Sequence, residues 1–227
     1  CVDLAGVRIY RDGTLVGTAG AGAQAFNDTP PDSNQFYTWT ARAIDEVPNE
    51  GPASTSYIGA AGTPSYESNF DTDNGGFEAT PDNGWQWGAP AWGGAHSAPN
   101  VWAGGLSGSY PDNADWYVTL DPGQPISSAS ATVDLWIYYN IEFYYDVVNF
   151  QISIDNGATW QFVAPNGGYP EEQGFLGEPG WSGNQPSWTH TILQIGQWVG
   201  EAPIFRFHFY TDPSVTYQGF LFDDLTI

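Results

Sequence analysis

Residues 204–210 read Ile-Phe-Arg-Phe-His-Phe-Tyr, with phenylalanine at 205, 207 and 209 and Arg206 and His208 between them. A period of two puts the three rings on one side of an extended chain and the polar residues on the other. The stretch therefore predicts a β-strand with one buried face. The same kind of segment recurs outward from it, at 131–139 (ATVDLWIYY), 147–154 (VVNFQISI) and 159–163. Between the last two stands Asp155-Asn156-Gly157, a hairpin signal, because such a turn needs residues that accept positive φ. Nearer the start, 7–10 and 15–17 flank Asp12-Gly13, a second hairpin, and 36–44 alternates again. Residues 48–52 (PNEGP) read as a turn, 53–58 as a strand and 59–64 (GAAGTP) as a linker. No segment carries the i, i+3, i+4 spacing of an amphipathic helix, so the expected class is all-β.

The composition narrows the function. Four arginines, Arg8, Arg11, Arg42 and Arg206, stand against 26 acidic residues, for a net charge of −22 without a single lysine. Nucleic-acid binding needs cations to displace counterions from phosphates, and anionic membranes need the same, so both partners are excluded. No apolar run reaches the roughly 18 residues of a membrane span. Aromatic residues make up 16% of the chain, which is ample for a core. Cys1 is the only cysteine, so no disulfide forms within the chain. With no methionine and no leader segment, the sequence reads as an internal piece of a larger protein.

Two resemblances organise the chain. Val7–Gly13 (VRIYRDG), Tyr37–Asp45 (YTWTARAID) and Asn49–Ser54 (NEGPAS) resemble a fibronectin type III domain. The first two strands of that family are missing, so residues 1–62 are expected to be an incomplete fibronectin sandwich with an open edge. Residues 65–227 resemble the jelly-roll cleaved-adhesin and MAM-like domains of secreted bacterial proteins. The carriers include Asn69-Phe70-Asp71, Trp85-Gln86-Trp87-Gly88 and Val101-Trp102-Ala103. They continue with Ser153-Ile154-Asp155-Asn156-Gly157-Ala158-Thr159-Trp160 and Gly219-Phe220-Leu221-Phe222-Asp223-Asp224-Leu225. The expected fold is thus an incomplete fibronectin sandwich followed by a jelly-roll β-sandwich.

The second resemblance implies that the first and last strands lie side by side, bringing Asp71 and Asp73 near Asp223 and Asp224. Similar domains carry a structural calcium there, and Asp71 and Asp224 are its foremost expected ligands. Glu142 and Asp146 are a second acidic pair at a matching family position. Crowded carboxylates repel unless a cation neutralises them, and hard cations take oxygen ligands. Ten of the eleven tryptophans lie beyond residue 64. Trp92, Trp181 and Trp188 sit in Gly/Pro/Ser-rich stretches and are, as a set, the expected exposed ligand-binding rings, while for any single one covering the sandwich is the commoner role.

Catalytic patterns are missing. His96, His190 and His208 lack metal-ligand spacing, and there is no G-x-S-x-G elbow. The expected function is a non-catalytic, calcium-stabilised binding or adhesion module, extracellular or at the cell surface, with a glycan or surface protein as partner. Two alternatives stand beside it. One is a filament subunit, a homo-oligomer formed by strand addition at the open fibronectin edge. The other is an accessory region of a secreted protease or glycosidase.

Overall fold

The computed structural model describes residues 4–23, 26–31, 36–45, 47, 49–60 and 64–227. Pro48 of the expected turn and residues 61–63 of the expected linker lie outside these. The chain forms two compact units, Cys1–Thr63 and Pro64–Ile227.

Unit 1 holds β1 (Leu4–Arg11), β2 (Thr14–Gly20), β3 (Phe36–Asp45), β4 (Glu50–Ala53) and β5 (Tyr57–Ala60). They make one antiparallel sheet in the order β2-β1-β3-β4, with β5 also paired to β3. The β1–β2 turn is Asp12-Gly13, with φ of 47° and 78°, the positive pair a tight two-residue hairpin requires. Glu50 and Gly51, expected in a turn, open β4 instead. Glu50 is held there by Arg8, whose Nη1 donates to its Oε1 at 2.6 Å, and by Tyr10.

Unit 2 holds β6 (Glu67–Ser68), β7 (Glu78–Thr80), β8 (Gln86–Gly88), β9 (Val101–Gly104), β10 (Asp115–Leu120) and β11 (Thr132–Asn140). It continues with β12 (Val147–Ser153), β13 (Gln161–Phe162), β14 (Asn184–Gln194), β15 (Ile204–Tyr210) and β16 (Gly219–Thr226). One antiparallel sheet runs β13-β12-β15-β10-β7; the other runs β14-β11-β16-β9-β8, with β6 paired to β16. The first and last strands of the unit are thus neighbours, with Leu225 opposite Ser68.

The two sheets face each other across an aromatic core. Phe205, Phe207 and Phe209 of β15 are each at most 1% exposed, as are Phe220 and Phe222 of β16. The Phe207 and Phe222 rings stack at 4.3 Å, which fixes the spacing of the two central strands. Trp85 closes one side, its ring 6.1 Å from Phe207 and 5.8 Å from Phe222. Each buried ring stabilises the unit by about 1.5–3 kcal/mol relative to leaving it in water.

The longest strand, β14, contains Pro186. Proline has no N–H for a ladder, and it is tolerated because β14 is an edge strand. Conversely, the expected strand at 159–163 shrinks to the two residues of β13, after a turn in which Asn156 and Gly157 take φ of 60° and 85°.

Candidate functional site

The β11–β12 connection carries Glu142-Phe143-Tyr144-Tyr145-Asp146. The register of β12 on β15 sets Val147 opposite Tyr210, so Asp146 lies beside the residues that follow β15. The Asp212 backbone N–H donates to Asp146 Oδ1 at 2.9 Å, and Tyr110 Oη donates to Asp146 Oδ2 at 2.5 Å. Tyr110 Oη in turn accepts from the Glu142 N–H at 2.9 Å. Ser182 Oγ donates to the Asp146 carbonyl at 2.9 Å and accepts from the Tyr144 N–H at 2.7 Å. The loop is therefore tied down at both acidic ends.

Carboxylate oxygens of Glu142, Asp146 and Asp212 all lie within 4.8 Å of one another. Burial, with Glu142 and Asp212 close by, pushes the Asp146 carboxyl up to about 6, and burial also raises Glu142. Glu142 Oε2 is buried without a hydrogen-bond partner. A partnerless carboxylate oxygen facing two more carboxylates is a donor set that fits a hard divalent cation such as calcium. Glu142 and Asp146 were expected from the sequence as an acidic pair, and they stand in the loop between β11 and β12. Asp212 was not named as a ligand, because it lies 66 positions from Asp146; it stands just past β15.

The other four expected ligands are not gathered into one group. A bulge opposite β11 separates the partners of Asp223 and Thr226, and Asp224 takes φ of 48°. Asp223, fully buried, accepts from the His96 and Ser97 N–H groups at 2.9 and 3.0 Å through Oδ2. Asp224 meets His96 Nδ1 at 2.5 Å and accepts from Ser97 Oγ at 2.8 Å. Asp71 accepts from Asn69 Nδ2 at 2.8 Å and leaves Oδ1 buried without a partner, while Asp73 accepts from the Gly75 N–H at 2.9 Å. Protein donors occupy most of these carboxylates. Among the described residues, the three-carboxylate group at Glu142, Asp146 and Asp212 is the one that forms.

Trp181 is not exposed. It forms a bridge with Val148, which turns its ring inward to meet Tyr169 at 5.0 Å and Phe220 at 5.5 Å, and it is 3% exposed. Trp92 and Trp188 are half-buried over Val101, Ala103 and Leu221 on the outer face of the six-stranded sheet, bridged by Tyr138. Trp92 Nε1 donates to the Gly105 carbonyl at 2.7 Å. Exposed rings lie instead in the acidic loop itself and in the loop that carries Phe175. Phe143 is 64% exposed and Phe175 52%, with Tyr144, Tyr145 and Leu176 also exposed. Tyr145 lies 5.7 Å from Phe175, and the Phe175 N–H donates to the Tyr144 carbonyl at 2.9 Å, so the two loops form one patch. The signal was present as three consecutive aromatics, which no period-two strand can bury together.

Each histidine meets a carboxylate. His96 pairs with Asp224, His190 with Asp134, and His208 with Asp115 and Glu178. Ser97 donates to Asp224 rather than to His96, so no imidazole activates it.

No family model matches the chain. Over 168 residues it is 26% identical to bacillopeptidase F of Bacillus subtilis, covering 73% of this chain and 11% of that protein. The chain thus spans a small part of the curated relative it matches. Among solved structures it is similar to the K2 cleaved adhesin domain of Lys-gingipain, at 17% identity and a TM-score of 0.46, over 71% of this chain and 97% of that one. The K1 cleaved adhesin domain of Lys-gingipain from Porphyromonas gingivalis gives 13% identity and 0.42, over 73% and 97%. A xylan-binding domain from CBM 22 gives 10% and 0.41, over 72% and 92%.

Proposed function

We propose that this chain is a non-catalytic, extracellular adhesion module whose binding end is braced by a divalent cation, calcium by the chemistry of the donor set. Glu142, Asp146 and Asp212 would hold the ion. When bound it neutralises three crowded carboxylates and locks the loop that carries Phe143, Tyr144 and Tyr145. The single observation that carries the reading is this juxtaposition: an exposed aromatic patch on the same five residues that supply two of the three carboxylates. Of a glycan and a surface protein, the patch favours a protein. Phe143, Phe175 and Leu176 present apolar area with few polar groups, and exposed apolar patches mark protein contacts. Residues 1–62 serve in this reading as a fibronectin-like spacer.

The test is a screen of the full chain against purified extracellular proteins and glycans, in calcium and in chelator. A protein ligand retained in calcium, and lost in chelator and in Phe143→Ser, is the expected result. Silence across the screen, or retention indifferent to both changes, would sink the reading.

A further inference from the structure

Every basic side chain of unit 1 has a carboxylate partner. Arg8 Nη1 lies 2.6 Å from Glu50, Arg11 Nη1 2.8 Å from Asp28, and Arg42 Nε 3.8 Å from Glu50. Arg206 is the one Lys or Arg of residues 64–227, and among the described residues it has no carboxylate within ion-pair distance. In a chain with 26 acids that is a specific arrangement.

The alternation of β15 turns Arg206 and His208 away from the core, onto the outer face of the five-stranded sheet. The Arg206 guanidinium carbon lies 4.2 Å from the ring centre of Tyr117 and 3.9 Å from that of Trp160. Arginine can only donate, so its bond sets the direction of every bond that follows. Nε donates to Gln151 Oε1 at 2.8 Å, Gln151 Nε2 to Asn149 Oδ1 at 2.8 Å, and Asn149 Nδ2 to Glu178 Oε2 at 3.2 Å. His208 lies between Glu178, at 3.4 Å, and Asp115, at 2.9 Å. Asn149 pairs with His208 and Gln151 with Arg206, so the groups sit in two adjacent rows of the sheet.

Asn149 and Gln151 are 1% and 3% exposed, and His208 is 6% exposed. Polar groups buried on a sheet face cost stability unless fully bonded, and apolar residues would cover the core there at less cost. This network is bonded inside and open at its ends. Arg206 has donors beyond the one Gln151 takes, and the Asp115 side chain is 63% exposed.

We propose that this face binds a neutral glycan, a second site distinct from the aromatic patch and beyond the function proposed above. A sugar hydroxyl both donates and accepts, so adjacent hydroxyls satisfy Asp115 and Arg206 together, while the C–H face of the ring packs on the half-buried Trp160. A uronate or sulfated glycan would meet Asp115, Glu178 and a net charge of −22. A basic peptide would meet Arg206.

The test is retention of the full chain in native gels cast with xylan, mannan, mixed-linkage β-glucan or polygalacturonate. Retention by at least one neutral polysaccharide and not by polygalacturonate is expected. Arg206→Lys, which loses the planar fork, and Asp115→Asn should each weaken it at least tenfold. Asp115 is exposed, so Asp115→Asn keeps the test readable if Arg206→Lys unfolds. The proposal is overturned by no neutral polysaccharide retaining the chain, by polygalacturonate retaining it as strongly, or by retention that folded Asp115→Asn leaves unchanged. A protein ligand released by Asp115→Asn, with no glycan bound, overturns it too.

Discussion

At the scale of single residues, Asp223 shows what burial does to a carboxylate. Desolvation first, and the neighbouring Asp224 second, raise it to about 7, although three backbone N–H groups hold its charged form. An unfolded aspartate titrates near 3.9. Between those values the folded state keeps a proton that the unfolded state has lost, so stability rises as pH falls through about 7. Asp155, lowered to about 2 by Thr159 and Ser153, works in the opposite sense. Its contribution is complete above about pH 4 and flat from 5 to 8. In chelator the melting midpoint of the chain is therefore expected to be higher at pH 5 than at pH 8. Asp223→Asn should remove much of that slope; a slope unchanged in the variant contradicts the assignment. Glu142→Gln is the matching change at the cation group, and it should weaken calcium binding by about tenfold or more, read by calorimetry. From the sequence, acidity at Asp223 and Asp224 was visible, but not that the His96-Ser97 backbone would claim Asp223 and the His96 and Ser97 side chains Asp224. Such donors come from residues 126 to 128 positions away and leave no local trace.

At the scale of elements, period-two alternation and positive-φ turn residues made β1, β2, β3, β11, β12 and β15 legible. Other strands were not read, and at β14 and the bridge between Val148 and Trp181 the physical reason is visible. Strand β14 was not among those read from the sequence; it carries Pro186, which an edge strand tolerates on its unpaired side. Glycines at 180 and 183 made Trp181 look like a loop residue, whereas Gly180 admits the backbone of β12. A Cβ there would stand 2.4 Å from the Val148 carbonyl oxygen. Close approach of this kind is also the design at Gly219, where φ is +123° and a Cβ would stand 1.7 Å from the Gly104 oxygen. Gly219→Ala should cost about 1–3 kcal/mol or more, because β16 and β9 must separate. In the acidic loop, Ser182→Ala strips the hydroxyl that links Tyr144 to Asp146. It should cost about 1–3 kcal/mol through unpaired backbone groups. Chemical denaturation measures both, and values below half a kilocalorie would mean the contacts are dispensable.

At the scale of the whole molecule, the all-β class was readable from the chain, and the resemblance implied the neighbouring first and last strands that β6 and β16 form. The composition of the exposed aromatic patch was not readable. Tryptophan looked like the ligand-facing residue, but this core is built around Trp85 and Trp181, and the solvent-facing rings include Phe143, Tyr144, Tyr145 and Phe175. Tryptophan buries more area than any other side chain, so a core of this size takes it up readily. The central pair of that core is testable: Phe207→Ala removes the ring that stacks on Phe222 and should cost about 3–5 kcal/mol.

The most direct measurement on the central claim is the thermal melt of the full chain in excess calcium and in chelator. A ligand bound only by the folded state, at 100 times its dissociation constant, adds about 2.7 kcal/mol. For the transition of residues 64–227 that is a rise of roughly 5–10 °C, which Asp212→Asn should abolish. Equal midpoints in calcium and chelator would contradict the cation brace at Glu142, Asp146 and Asp212, and with it the ordering of the aromatic loop by a metal.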